Sequence, residues 1–546
     1  MKKFSRIGNK LWLRIFLIPL FMCPSVSAYA LAKNDVLDSN MTVHLAASEQ
    51  VRPDLLIADV TIVTANPDVP AQVSKEHGFV LVQQGMITSI TKQAPLLPKN
   101  CQVIDGRGKY LIPGLIDSHI HPYRVPGFHA GHYRKFPHWV EAWRQAEPKL
   151  YLWHGFTSLV DAGDWQPELA AKYYQAASSP TLYGVGATVR QLDGYGHNFY
   201  PKPTAYQALP NWIFNPSQQL PKGADASQHQ PDKAVQRVVQ QDGVAVKTFV
   251  EDGFSGAIPN LELPEPALLK QLVTEAHKAQ LPVLLHATSA KGYQRGIHAG
   301  VDIFAHGLWH FSPADFWSIQ PPPKVTALLT QLTPEHFVQP TVRVVLAEQV
   351  SLNAELALPE VLHQFLPPQM LTWYQSEAGR WGRVDQLEFV HALKQRLPFP
   401  AAAEASAEQL AERMAARARL MLQLMQQQKV QLILGTDTPS PDSSPVAIAG
   451  ANGIAELFAW SDAGIPLKDI FLAATARNAR AFKLPVGEIQ TGKFADLLLL
   501  DSDPLQSVQA YQQIHRWIVR GRLFSSDEIL QPLPNRPQSL NTKESK

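Results

Sequence analysis

From Leu115 onward, short apolar segments alternate with stretches of helical character. Eight of the apolar segments read as strands: LIDSHIH, TSLVDAG, TLYGVGATV, VAVKTFV, PVLLHAT, VDIFAHG, HFVQPTVRV and VQLILGTD. Regular alternation of strand and helix is the pattern of repeated βα units on a parallel sheet, and eight strands is the number that closes a barrel. The pattern predicts an α/β fold with a TIM-like (β/α)8 barrel over residues 113–486. Strand-like segments also flank it, with DLLIADVTIVT, FVLVQQGMITSITK and QVIDGRGKYLIPG before and ADLLLLD and IHRWIVRGRLF after. Residues 52–112 plus 487–526 are therefore expected to form a small β layer split between the two flanks.

Two segments exceed a minimal barrel. Residues 191–232, rich in Pro, Gln, Asn and aromatics, read as a long loop after the third strand. Residues 347–412, which include WYQSEAGRWGR and run into an Ala/Glu/Arg/Leu-rich stretch, read as a helical insertion after the seventh. Loops after barrel strands lie on the face that holds active sites, so both are candidates for substrate selection. At the N-terminus, Lys2, Lys3, Arg6 and Lys10 precede an apolar run and small residues at Ala28, Ala30 and Ala32. That is the layout of a secretory signal peptide over residues 1–30, and it predicts a periplasmic or secreted protein with no membrane span in the mature chain. The tail, 532–546, reads as disordered.

Polar residues stand at the ends of the apolar strands. His119 and His121 close the first strand as a His-x-His pair, and residues two apart on a strand project to one face. Lys247 lies inside VAVKTFV, His286 ends PVLLH, His306 ends VDIFAH and Asp437 ends VQLILGTD. Each alone is an ordinary strand end, but five strands carrying such a residue at the same end predict one shared site. With cysteines only at 23 and 101, a metal there would be held by nitrogen and oxygen. A net charge of +2 gives no field that points to nucleic acid, and a small-molecule substrate fits better.

The segments VIDGRGKYLIPGLIDSHIHP, GFTSLVDAGD, EAHKAQLPVLLHATS with GIHAGVDIFAHG, LILGTDTP and AATARNARAFKLPVGEIQTGKFADLLLLDSDPL resemble the amidohydrolase superfamily over nearly everything after the N-terminal segment. The likeness is greatest to the branch of prolidase-like and imidazolonepropionase-related enzymes. The resemblance implies a barrel with a small β-sandwich built from both flanks, a metal centre, and hydrolysis of an amide or dipeptide-like C–N bond by metal-activated hydroxide. It further implies two divalent ions, with zinc the default. His119, His121 and Asp437 would hold one and His286 and His306 the other. Lys247, carboxylated on its side-chain nitrogen, would bridge them, since an unmodified lysine is an ammonium that repels a cation. Asp437 would be the catalytic proton carrier.

His197, in QLDGYGHNFYP, is expected to contact substrate, with Tyr195 and Arg190 beside it. His129, His132 and His138 read as solvated loop residues before a second metal site. Thr288 stands where many relatives have a second histidine, which puts that position's role in doubt. Three alternatives remain open: a mononuclear deaminase or cyclic amide or lactone hydrolase with unmodified Lys247, a silent barrel that only binds, and assembly into a homo-oligomer.

Overall fold

The computed structural model describes residues 53–531 except 67, 70, 164, 203, 255–257, 259, 260, 352–357, 385, 386, 388–403 and 441–444. The proposed export segment and the tail from 532 lie outside the described residues.

Strands β1 (Leu55–Ala65), β2 (Val73–Gln83), β3 (Met86–Thr91), β4 (Gln102–Asp105) and β5 (Tyr110–Pro113) precede the βα units. The units supply β6 (Leu115–Ile120), β7 (Phe156–Asp161), β8 (Thr181–Gly184), β9 (Arg190–Gln191), β10 (Trp212–Ile213), β11 (Val246–Phe249), β12 (Val283–His286), β13 (Ile303–Ala305), β14 (Phe337–Gln339) and β15 (Gln431–Leu432). After them come β16 (Leu497–Leu500), β17 (Ile514–Val519) and β18 (Arg522–Phe524).

The two flanks join in one eight-stranded sheet, ordered β18-β17-β16-β5-β1-β2-β3 with β4 also paired to β1. The seam is β16 against β5, antiparallel, with Leu497 opposite Pro113 and Leu500 opposite Tyr110. Period-two alternation explains the LLLL of β16: Leu497 and Leu499 pack into the sheet's own core with Ile57, Val80 and Ile518, while Leu498 and Leu500 pack against the helical body.

All eight segments expected to form the parallel strands do form strands. Their ladders make two parallel sheets, β6-β7-β8 and β11-β12-β13-β14-β15, rather than the single closed circuit expected. The ladders stop because the strands at the junctions are short, with β15 only two residues long. Single hydrogen bonds cross both gaps: Val244 N–H donates to Gly184 O at 2.9 Å and Val189 N–H to Lys247 O at 2.8 Å on one side, and Ser118 N–H to Leu434 O at 3.1 Å and Asp437 N–H to His119 O at 2.6 Å on the other. Ile116, Val160, Leu284 and Ile303, from four different strands, meet Ile433 just past β15 in one cluster. Their sequence neighbours Leu115, Leu159, Leu285, Phe304 and Leu432 face the helices. Ile116 and Ile120, four apart, would share a face on a regular strand, yet they fall in opposite clusters. A register irregularity between Asp117 and Ile120 produces the switch.

Two local expectations are corrected. HFVQPTVRV is a strand only to Gln339, because Pro340 has no N–H to continue the ladder and a helix, Val342–Ser351, follows. That helix starts where it does because the buried Glu456 carboxylate accepts from the N–H groups of Val342 (3.0 Å) and Arg343 (2.8 Å). Residues 191–232 are not one open loop: β9 and β10 pair in parallel, and a short helix, Thr204–Ala208, lies between them. The insertion at 347–412 is helical where described, with Leu362–Phe365, Pro368–Gln375 and the start of Ala407–Gln427.

Candidate metal centre

The carboxyl ends of the parallel strands bring His119, His121 and Asp437 together. Asp437 Oδ1 lies 2.9 Å from His121 Nε2 and 3.3 Å from His119 Nε2, and the three groups offer donor atoms within 4.8 Å of one another. The close approach depends on Gly435: a Cβ there would sit 2.9 Å from the Cβ of His119 and 3.0 Å from the Gln339 amide. His306 stands beside this group, its Nδ1 3.9 Å from Asp437 Oδ2 and its ring 5.1 Å from that of His119. His286 follows, with its ring 4.5 Å from that of His306. Lys247 projects from β11 into the same volume, 2% exposed, and its Nζ has no hydrogen-bond partner among the described residues.

Burial governs the charges. It pushes the imidazoles of His119, His286 and His306 well below the ordinary histidine value, with Lys247 reinforcing the effect on each, so all three are neutral and able to ligate. Burial also lowers Lys247 to about 7, opposed by the Asp437 charge and helped by Arg190. Burial works to raise Asp437, but the neighbouring His119, His121 and His306 outweigh it and hold the carboxylate ionised. Three converging nitrogen and oxygen donors, one of them an ionised carboxylate, suit a divalent cation, and a buried amine beside them with no hydrogen-bond partner among the described residues suits conversion to an anionic ligand.

Sequence reasoning missed the residues behind these groups. Gln339, fully buried on β14, meets His119 Nδ1 through Oε1 at 3.0 Å. Glu251, four residues past Lys247 and 1% exposed, meets His286 Nε2 at 3.2 Å and accepts from Thr288 Oγ1 at 2.6 Å. Thr288 thus anchors Glu251 where relatives were expected to offer a histidine. Asp117 is fully buried, takes Thr436 Oγ1 at 2.6 Å and is raised to about 7 by burial, tying the first strand to the loop that carries Asp437. An acid or amide inside or just past an apolar strand was the available signal, but nothing in spacing links it to a ligand.

The three residues expected to contact substrate have different surroundings. Tyr195 stacks on His286 with centroids 4.7 Å apart and an 18° interplanar angle. The Arg190 guanidinium lies 3.7 Å over the Phe249 ring, and its Nε donates to Thr188 Oγ1 at 3.2 Å. His197 is turned to its own loop: Nδ1 accepts from Asp193 N–H at 3.2 Å, and Nε2 donates to Leu209 O at 3.2 Å. While His138 is exposed as expected, His129 and His132 are half-buried rather than fully solvated. Their rings stack at 3.6 Å and contact Trp373 and Trp381, joining the loop after β6 to the second insertion.

This geometry gathers buried nitrogen and oxygen donors that could hold a metal ion at the strand ends of an α/β protein. The model of the Amidohydrolase family matches residues 391–524. Similar folds are found in a Xaa-Pro dipeptidase with bound methionine (18% identity, TM-score 0.56, 87% of this chain and 100% of that one) and in molinate hydrolase (18%, 0.57, 91% and 100%). The ochratoxinase of A. niger is similar as well (17%, 0.58, 88% and 97%). A search of the curated proteins finds no match. The family match covers the C-terminal part of the chain, and the likeness to the solved structures is one of fold. Among the described residues no helix is long and apolar enough to cross a membrane.

Proposed function

We infer that the chain is an exported, metal-dependent hydrolase of an amide or other C–N bond in a small molecule. The observation that carries this reading is the convergence of His119, His121 and Asp437 beside the buried Lys247, whose amine has no hydrogen-bond partner among the described residues. The two parallel sheets are read as arcs of one (β/α)8 barrel, and the flanking sheet as its β-sandwich domain. His119, His121 and Asp437 would hold one ion, His286 and His306 a second, with carboxylated Lys247 between them; zinc suits this donor set. A divalent ion bound there would lower the pKa of water from about 15.7 toward about 7 and so supply the nucleophile.

The chain's own residues do the rest. Asp437, ionised and at the point where the ligands meet, accepts the proton and returns it to the leaving amine. Tyr195 and Arg190 bind the substrate, and the rings of Tyr195, Phe249 and Phe254 around His286 favour an apolar or aromatic substituent. Molinate hydrolase and phenylurea hydrolase B, named for substrates with C–N bonds, share the fold and are in keeping with this class. A mononuclear centre is the second reading, because His119, His121 and Asp437 alone form a three-donor group among the described residues.

Metal content measured on the mature protein separates the two readings, with two ions per chain expected for the first and one for the second. Loaded protein is then screened against dipeptides, N-acyl amino acids, ureas and lactones. Turnover abolished by chelation and restored by zinc is expected. Failure to hydrolyse any member, with metal content unchanged in His119→Ala, would sink the assignment.

A further inference from the structure

Both His119 and His286 have their outer ring nitrogen engaged by a group with no part in the reaction described above. Gln339 settles the first. Its amide nitrogen lies 2.8 Å from Ser118 O and 2.7 Å from Ser118 Oγ. A carbonyl oxygen only accepts, so the NH2 faces Ser118 and Oε1 faces His119 Nδ1 at 3.0 Å. Nδ1 therefore carries the proton, and Nε2, the nitrogen beside Asp437, keeps its lone pair.

Glu251 settles the second by the same logic. Its Oε1 accepts from the N–H groups of Gly253 (2.9 Å) and Phe254 (2.8 Å), and its Oε2 from the Thr288 hydroxyl. With donors converging on both oxygens, the carboxylate accepts from His286 as well, so Nε2 is protonated and Nδ1 keeps the lone pair. The two histidines are held in opposite tautomers by residues on different elements, both buried and neither spaced as a ligand.

We propose that Gln339 and Glu251 are positioning residues that fix the tautomers of His119 and His286, and so select the nitrogen each presents to the metal. The inference rests on the metal-centre reading. A neutral imidazole in the wrong tautomer turns an N–H toward the cation, and the partner of the outer nitrogen decides which form is present.

The test begins on metal-free protein labelled with 15N-histidine, where long-range 1H–15N correlation spectra report each tautomer, assigned through His119→Ala and His286→Ala. His119 protonated on Nδ1 and His286 on Nε2 are expected. Gln339→Leu should let His119 sample both tautomers and weaken zinc binding, read by competition with a chromophoric chelator, about 10- to 100-fold. Glu251→Gln, whose oxygen is held by the Gly253 and Phe254 N–H groups, turns an amide N–H toward His286 Nε2 and should shift that ring to the form protonated on Nδ1. Either histidine in the opposite tautomer, or Gln339→Leu with wild-type spectrum and zinc affinity, overturns the proposal. Should the leucine variant not fold, the spectra of wild type and Glu251→Gln still decide. Absence of zinc binding by the wild-type chain would remove the metal-centre reading instead, with the metal-free spectra still judging the tautomers.

Discussion

Glu147 offers a sharp test of how buried charge is handled next to the centre. It lies on the helix Pro137–Trp153, is 1% exposed, and its Oε2 accepts from the N–H of Tyr123 at 2.9 Å. Tyr123 is two residues past His121 and has φ of 72°, so Glu147 pins the turn by which the chain leaves the His-x-His pair. Burial, against the hydrogen bond from Tyr123, raises this carboxyl to about 8. The folded protein therefore keeps a proton between about pH 4.5 and 8 that the unfolded chain has lost, and stability falls as pH rises through that window. The gap between 4.5 and about 8, at about 1.4 kcal/mol per pH unit, amounts to about 5 kcal/mol at most. Glu147→Gln keeps the acceptor and removes the proton. The gap between its melting temperature and that of wild type should be smallest near pH 5 and widen toward pH 8 in the variant's favour. A protein of this length has an unfolding entropy of roughly 1 kcal/mol/K, so the widening should be on the order of 5 °C. Calorimetric scans from pH 5 to 9 measure it. A gap that stays constant, or that widens in favour of wild type, would refute the assignment of a protonated Glu147.

Two further outcomes are expected. Asp437→Asn should lower kcat by about 10²- to 10⁴-fold while keeping much of the bound metal, since the amide oxygen remains beside His119 and His121; near-normal turnover in steady-state assays would rule out its proton-carrying role. Arg417, 1% exposed on the helix Ala407–Gln427, donates to the carbonyls of Trp309, Phe316 and Ser318 in the segment after His306. Arg417→Met should orphan these buried acceptors, cost about 1–3 kcal/mol for each one left dry, and speed proteolysis between 309 and 318; an unchanged digestion pattern would contradict the stapling role.

Much of the centre could be read from sequence because strand period and strand end are local properties. His119, His121, His286, His306 and Asp437 each close an apolar run and Lys247 lies inside one; His119, His121 and Asp437 converge, with His306 and His286 next to them. The same local signals misled where a partner remote in sequence decides. Val342–Ser351 has strand-like residues at its start, yet Glu456, more than a hundred positions away, caps a helix there. His129 and His132 looked solvated because the tryptophans that enclose them, Trp373 and Trp381, belong to the second insertion. Gln339 and Glu251 matter through single distances of about 3 Å to a ligand's outer nitrogen, which no spacing encodes.

The backbone at the centre is also strained in a way the sequence does not announce. His306, Thr341 and Asp437 have φ of 77°, 43° and 60°, three left-handed non-glycine residues just past the strands that line the site. Such a conformation costs roughly 1–2 kcal/mol for an ordinary residue and is a genuine outlier for a β-branched one. Thr341 is fully buried, and its hydroxyl lies 3.0 Å from His306 Nδ1, a contact that gives the strain a purpose. Comparing Thr341→Ala with Thr341→Gly isolates the backbone, because both lose the hydroxyl and only glycine relieves the φ. Thr341→Gly should be about 1 kcal/mol more stable than Thr341→Ala by denaturant titration, the usual glycine penalty in the unfolded chain having been offset. Both should bind zinc with the same weakened affinity, since each leaves His306 without its partner. Equal stability of the two variants would mean that position 341 is not held left-handed in solution, and wild-type zinc affinity in both would remove the hydroxyl from the positioning of His306.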